Sequence, residues 1–420
     1  HHMSSCCARQ PNFNDTIMKK TKHTSAPKTA APTEEKNEVI ADRLVELAID
    51  LRESGIYATL PDALQKAQAE MRKTIRKCLQ QKREQALDEA IERTFEEDGN
   101  AYRVLRENVE EMSGTVLFRR DEGTELEINA FVVPLFVHTT GGLRSEQCFQ
   151  DEQAFEQLRE SFQEGGLESR KASVVLVSHA YHLNELEQIG YCELHDMVHE
   201  AFDAMTRKKA TAADTIARSM RGWPPLHFTP SDSAMELRFL LGFTLKTMDD
   251  PFYHVPEKEA EADRYFEARA KRFQKWSQQI APLLQRCLVT DGRDVQIDFL
   301  YQDLFHGGKE TALGELEMLR LLSELQQTLE THGTAPTDAK AIIGPMEADD
   351  DTVVRVSLLS KTADASIGAV DKPLGWNETI ESAIADIADI LWTAGIRDVH
   401  IARRFDADGA PSGVRSYAPQ

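Results

Sequence analysis

The stretch "RCLVTDGRDVQIDFLYQDLFHGG" (286–308) decides how this chain is read, because it repeats the plan of "GTVLFRRDEGTELEINAFVVPLFVHTTGG" (114–142). In both, a short apolar run meets an acidic turn closed by glycine, and an alternating strand then runs into Gly-Gly. With Gly123 set against Gly292, Leu126-Glu127-Ile128-Asn129 matches Val295-Gln296-Ile297-Asp298 without a gap. Leu135-Phe136 then matches Leu304-Phe305 in the same register. A repeat at this distance implies duplication of one α+β unit.

Outward from the first copy, the pattern gives a helix around Glu146 to Phe162, a buried strand "SVVLVS" (173–178), a helix around Glu193 to Met205 and a closing strand "ELRFLLGFTLK" (236–246). A helix from about Glu257 follows, with acids early and bases late, the order that suits the helix dipole. After the second copy come a helix from Glu310 to about Leu329, strands "KAIIGP" and "TVVRVSLLS", a helix from Thr379 to Leu391 and a strand "DVHIARRF". That order, β-α-β-β-α-β, is ferredoxin-like. The expected fold class is therefore α+β: an N-terminal helical segment followed by two related ferredoxin-like modules packed as an intramolecular pseudo-dimer.

Upstream, Ile40, Leu44, Leu47, Ala48 and Leu51 form the stripe of one amphipathic helix. Thr59-Leu60-Pro61-Asp62 opens a second, longer one running to Gly99, with Leu64, Met71, Ile75, Cys78, Leu87, Ile91 and Phe95 on its buried side. Its charge reverses: seven bases against Glu70 between Lys66 and Arg83, then mostly acids from Glu84 to Asp98. Such a helix can pair antiparallel with a second copy, so a homodimer is expected. The boundaries follow as a tag remnant and disordered basic tail over 1–36, a helical segment over 37–98, α+β modules over 99–255 and 256–410, and a flexible end over 411–420.

"ELEINAFVVPLFVHTTGG", "ELRFLLGF", "DDPFY" and "FLYQDLFHGGKE" resemble an uncharacterised family of about this length found in beta-proteobacteria. The resemblance implies a soluble bacterial protein and transfers no catalytic residue.

Composition narrows the function classes. With 49 basic against 70 acidic residues the net charge is −21, which makes nucleic acid an unlikely partner for the surface as a whole and leaves only the basic helix at 66–83 for it. Six scattered cysteines without a C-x-x-C pair point to a reducing cytoplasm. The longest apolar run, Ala130 to Val137, is far too short for a membrane span.

Two constellations carry candidate chemistry. His179, His182, His195 and His199 have the H-x2-H-x12-H-x3-H spacing of a zinc module, yet lie in a segment that needs no metal to fold; no metal ligand is assigned. The Gly-Gly turns at 141–142 and 307–308 each join a strand to a helix, where backbone amides can face an anion. His306, Gly307, Gly308 and Lys309 are the preferred anion site, since a donor and a positive charge bracket the glycines. Glu310 after Lys309 rules out a Walker loop, and G-x-S-x-G, H-E-x-x-H and G-x-G-x-x-G are all missing. No cofactor is expected. The favoured function is a non-enzymatic cytoplasmic binding or regulatory protein with an anion or small-molecule groove between the modules. The alternatives are an enzyme at that seam, working through the Gly-Gly loops or the histidines with or without a metal, and a nucleic-acid-associated protein.

Overall fold

The computed structural model describes residues 32–139, 152–207, 235–287, 295–300, 303–348, 351–363, 365–375 and 378–418. Ten α-helices and several sheets lie among them, helices first and strands after. The chain divides into two compact units at Asn108/Val109. No helix among the described residues is long and apolar enough to cross a membrane.

The first unit is helical: α1 (Pro32–Asp50), α2 (Asp62–Gln80), α3 (Glu84–Glu97) and the opening turns of α4 (Gly99–Gly114). The α1 stripe of Ala41, Leu44, Leu47, Ala48 and Leu51 is buried, as its spacing demands. The single helix expected over 60–98 is in fact two. Lys82 adopts φ 56, the left-handed region, and Arg83 N–H returns to Cys78 O (2.9 Å). Physically, Met71, Ile75, Cys78 and Leu79 on α2 and Ala86, Leu87 and Ala90 on α3 are all buried, and a reversal at 81–83 lets both stripes face α1. Phe95, expected inside, is 63% exposed. The long charge-reversing helix on which dimer pairing was reasoned is therefore absent.

In the second unit a hairpin forms as read, β1 (Thr115–Arg119) with β2 (Glu125–Thr139), and Gly123 takes φ 85 in the turn. β2 is the axis of the first sheet. One edge pairs along its length with β4 (Met235–Thr247), which in turn pairs with β3 (Ser173–His182). The other edge receives β1, then β6 (Asp303–Leu304), then β5 (Val295–Phe299), all antiparallel. Alternation makes both faces of β2 core-forming. Leu126, Ile128, Ala130 and Val132 pack with α7 (Tyr191–Arg207) and the start of α9 (Phe305–Thr331). Phe131, Val133, Leu135 and Val137 pack with α5 (Glu152–Glu164) and α8 (Glu259–Cys287), where Trp276 is buried and donates Nε1–H to Ser161 Oγ at 2.8 Å. The short α6 (Leu183–Glu187) follows β3.

The second sheet is a meander of β7 (Ala339–Ala348), β8 (Asp351–Ser360) and β9 (Ala365–Pro373), from which α10 (Ile380–Thr393) leads to β10 (Asp398–Ile401), parallel to β7. α9 links the two halves: Phe305 and Ala312 enter the first core, while Met318, Leu321, Leu325 and Leu329 enter the second. A small hairpin of β11 (Arg404–Phe405) and β12 (Pro411–Ser412) precedes β13 (Arg415–Ser416), which pairs with β10, so the end read as flexible is hydrogen-bonded to the sheet.

The ferredoxin-like order does not emerge. It needs the 295–305 strand inside the second sheet, and that strand instead extends the first by pairing with β2, the very segment it resembles. β9 adds a strand the sequence reading lacked, and α8, assigned to the second module, packs on the first sheet.

Candidate functional site: a polar cavity at the end of the first sheet

Near its hairpin end the first sheet changes character on one face. Glu127 and Asn129 of β2 stand directly opposite Lys246 and Thr244 of β4, so register alone places four polar side chains together in an otherwise apolar sheet. Glu127 Oε1 accepts from Asn129 Nδ2 at 2.6 Å and lies 3.2 Å from Lys246 Nζ. Asn129 Oδ1 accepts from Thr115 Oγ on β1 at 2.7 Å, which fixes the amide's orientation.

A cap made from the chain after β4 closes over this floor. Asp250 begins a 3-10 turn at Pro251–Tyr253: one carboxylate oxygen accepts from Phe252 N–H (3.0 Å) and the other from Ser169 Oγ (2.6 Å). Those two hydrogen bonds, from Ser169 first, hold the Asp250 carboxyl below the usual carboxylate range. The turn delivers Tyr253, whose ring lies 3.9 Å from Lys246 Nζ and whose hydroxyl donates to buried Glu168 at 2.7 Å. Burial and the neighbouring Glu168 carboxylate push this phenol above its ordinary pKa, so it stays a donor. Tyr265 of α8 donates its hydroxyl to Phe252 O at 3.2 Å and ties the cap to the helix.

The result is a cavity of about 520 Å³ with a polar floor, aromatic walls and a rim of exposed Met248, Val255 and Leu304. Its charged lining is balanced, with Glu127 and Glu168 against Lys246 and Arg269. Such a site can orient a ligand by hydrogen bonds while gaining apolar contact at its mouth.

The anion site expected from sequence takes a different form. Gly307 and Gly308 lie within the first turns of α9, after the strand-to-helix junction. A Cβ on Gly308 would sit 2.6 Å from Val132 Cγ2 and 3.0 Å from Val132 O, so this glycine lets the helix seat directly on β2. His306 Nε2 lies 3.1 Å from Ser113 Oγ, which is also 2.9 Å from Glu110 O, so the pair joins helix ends. Lys309 is half-buried in the same turn. Gly141 and Gly142 fall outside the described residues.

The four histidines are engaged two by two. His179 Nε2 is 2.9 Å from Glu185 Oε2, which also accepts the His182 backbone N–H at 2.8 Å. His195 and His199 meet Nε2 to Nε2 at 3.3 Å on α7. Burial, then His199, pushes His195 down to about 4; burial, then Arg238, does the same to His182. Among the described residues no three His, Cys, Asp or Glu side chains are arranged to hold a metal ion.

Two signals of the cavity were present in the sequence: the polar positions Glu127 and Asn129 in an apolar strand, and "DDPFY", one of the segments that carry the family resemblance. Glu168 and Arg269 come from distant segments and carry no local signature.

A family model described as "protein of unknown function (DUF2863)" matches residues 29–408. No curated protein and no solved structure matches the chain.

Proposed function

The chain belongs to the DUF2863 family, and we propose that it is a cytoplasmic binding protein whose ligand, a small molecule without net charge, occupies the cavity between Glu127, Lys246 and Tyr253. The observation that carries this reading is the balanced polar floor. Lys246 already has a carboxylate at 3.2 Å and a π face at 3.9 Å, so a strongly charged ligand would have to break a pair to gain one. A molecule bearing both donors and acceptors, with an apolar part to lie against Met248, Val255 and Leu304, meets no such cost. The polar groups of the floor pair with one another, Glu127 with Asn129 and Lys246 and Asn129 with Thr115, which suits holding a ligand in place. The groove proposed here lies against the first sheet, and Gly308 is explained by packing on Val132.

The test is a thermal-shift screen of zwitterionic amino acids, neutral sugars and nucleosides, with inorganic phosphate and sulfate as anionic controls. The expected hits are neutral overall and are lost in Lys246→Met and Glu127→Gln. Hits confined to the anions would overturn the reading.

A further inference from the structure

The helical unit carries two complementary charged strips. On α2, Lys66, Lys73, Arg76 and Lys77 lie on one exposed face and have no ion pair among the described residues. Glu70, the acid between Lys66 and Lys73, forms a two-point ion pair with Arg43 (2.8 and 2.9 Å). On α3, Asp88, Glu92 and Glu96 recur at every fourth position on an exposed face, also without an ion pair among the described residues. The one arginine of α3, Arg93, is turned to Asp42 and Glu89. At 1.5 Å per residue the basic strip spans about 16 Å and the acidic one about 12 Å. Beside the acids, Phe95 is 63% exposed and meets the Tyr102 ring edge-on, ring centroids 5.1 Å apart.

We infer that the helical unit docks on a second copy of this chain, the α2 basic strip of each protomer lying on the α3 acidic strip of its partner, with Phe95 covered between them. One twofold axis makes this contact twice, as an isologous interface requires. The net charge of −21 does not forbid it, because at physiological salt charges beyond about 8 Å are screened and each protomer feels chiefly the strip in front of it. Nucleic acid fits less well, since the α3 acids of the same compact unit would repel phosphate and no exposed aromatic ring interleaves Lys66, Lys73 and Lys77 for stacking.

Sedimentation analysis of the full chain tests this. A dimer is expected whose dissociation constant rises at least tenfold between about 0.05 and about 0.5 M salt. The triple variants Lys66→Glu/Lys73→Glu/Lys77→Glu and Asp88→Lys/Glu92→Lys/Glu96→Lys, both folded by circular dichroism, should each be monomeric. Mixed in equal amounts they should re-form a dimer, because each then offers the other the opposite sign at both contacts. A wild-type chain that stays monomeric at about 100 μM, well above the micromolar constants of weak specific interfaces, would overturn the inference. So would variants that dimerise alone, or a mixture that does not. Duplex DNA binding that depends on the same lysines in a monomeric chain would reassign the strip to nucleic acid and also overturn it.

Discussion

Replacing Gly308 by alanine should destabilise the protein, while the same replacement at Gly314 in the same helix should stabilise it. A Cβ at 308 would lie 2.6 Å from Val132 Cγ2 and 3.0 Å from Val132 O. The neighbour cannot step aside, because Val132 sits in the middle of β2 with Leu241 paired on one side and Asp303 on the other. Overpacking of this kind costs about 1–3 kcal/mol. At exposed Gly314 nothing lies within 4 Å of the added carbon, and removing a mid-helix glycine there should gain about 1 kcal/mol. Val132→Ala in the Gly308→Ala background removes the 2.6 Å clash and leaves the 3.0 Å approach to the carbonyl, so part of the loss should return as a coupling of about 0.5–3 kcal/mol. Urea denaturation followed by tryptophan fluorescence reads wild type, the single variants Gly308→Ala, Gly314→Ala and Val132→Ala, and the double variant. If Gly308→Ala were as stabilising as Gly314→Ala, the seating of α9 on β2 would be wrong and the glycine would need another explanation.

Stability should fall with acid between about pH 6.5 and about pH 4. His182 and His195 are lowered to about 4 by burial, so above pH 6.5 both are neutral in either state and cost nothing. Below that the unfolded chain binds protons the fold refuses, and the loss, at most about 3 kcal/mol for each, levels off once the folded pKa is passed. His195→Gln should flatten this slope in pH-dependent urea melts; an unchanged slope would contradict the assignment. Tyr253→Phe should cost about 1–3 kcal/mol, since buried Glu168 loses its 2.7 Å donor, and calorimetric melting against wild type measures it. Lys372→Met should cost about 3–5 kcal/mol, because the buried ammonium lies 2.6 Å from Glu378, and a neutral effect would show the pair to be dispensable.

Much of the first sheet was legible because its signals are local. The Asp121-Glu122-Gly123 turn and the alternation through Asn129 specify β1 and β2 before any tertiary contact forms. β9 was missed because "ASIGAVDKP" mixes Ala and Gly with the charges of Asp371 and Lys372, a poor strand pattern that pairing with β8 overrides. The break at Lys82 was hidden because the residues around it, Gln81 and Arg83, are ordinary helix formers; what reverses the chain is the need of two stripes to meet α1. Strand partners were least legible. "DVQIDF" announces a strand but nothing in it says which sheet it joins, and its pairing with β2 is what separates the observed fold from a tandem duplication. The cavity was half visible, since its floor lies in two readable strands while Glu168 and Arg269 meet it only in three dimensions.

The most direct test of the cavity as the ligand site is calorimetric titration of the best neutral hit from the screen into wild type, Lys246→Met and Lys309→Met. The expected result is at least a tenfold loss of affinity, about 1.4 kcal/mol, in Lys246→Met with Lys309→Met unchanged. Loss in Lys309→Met with binding intact in Lys246→Met would place the ligand at the start of α9 and contradict the cavity assignment.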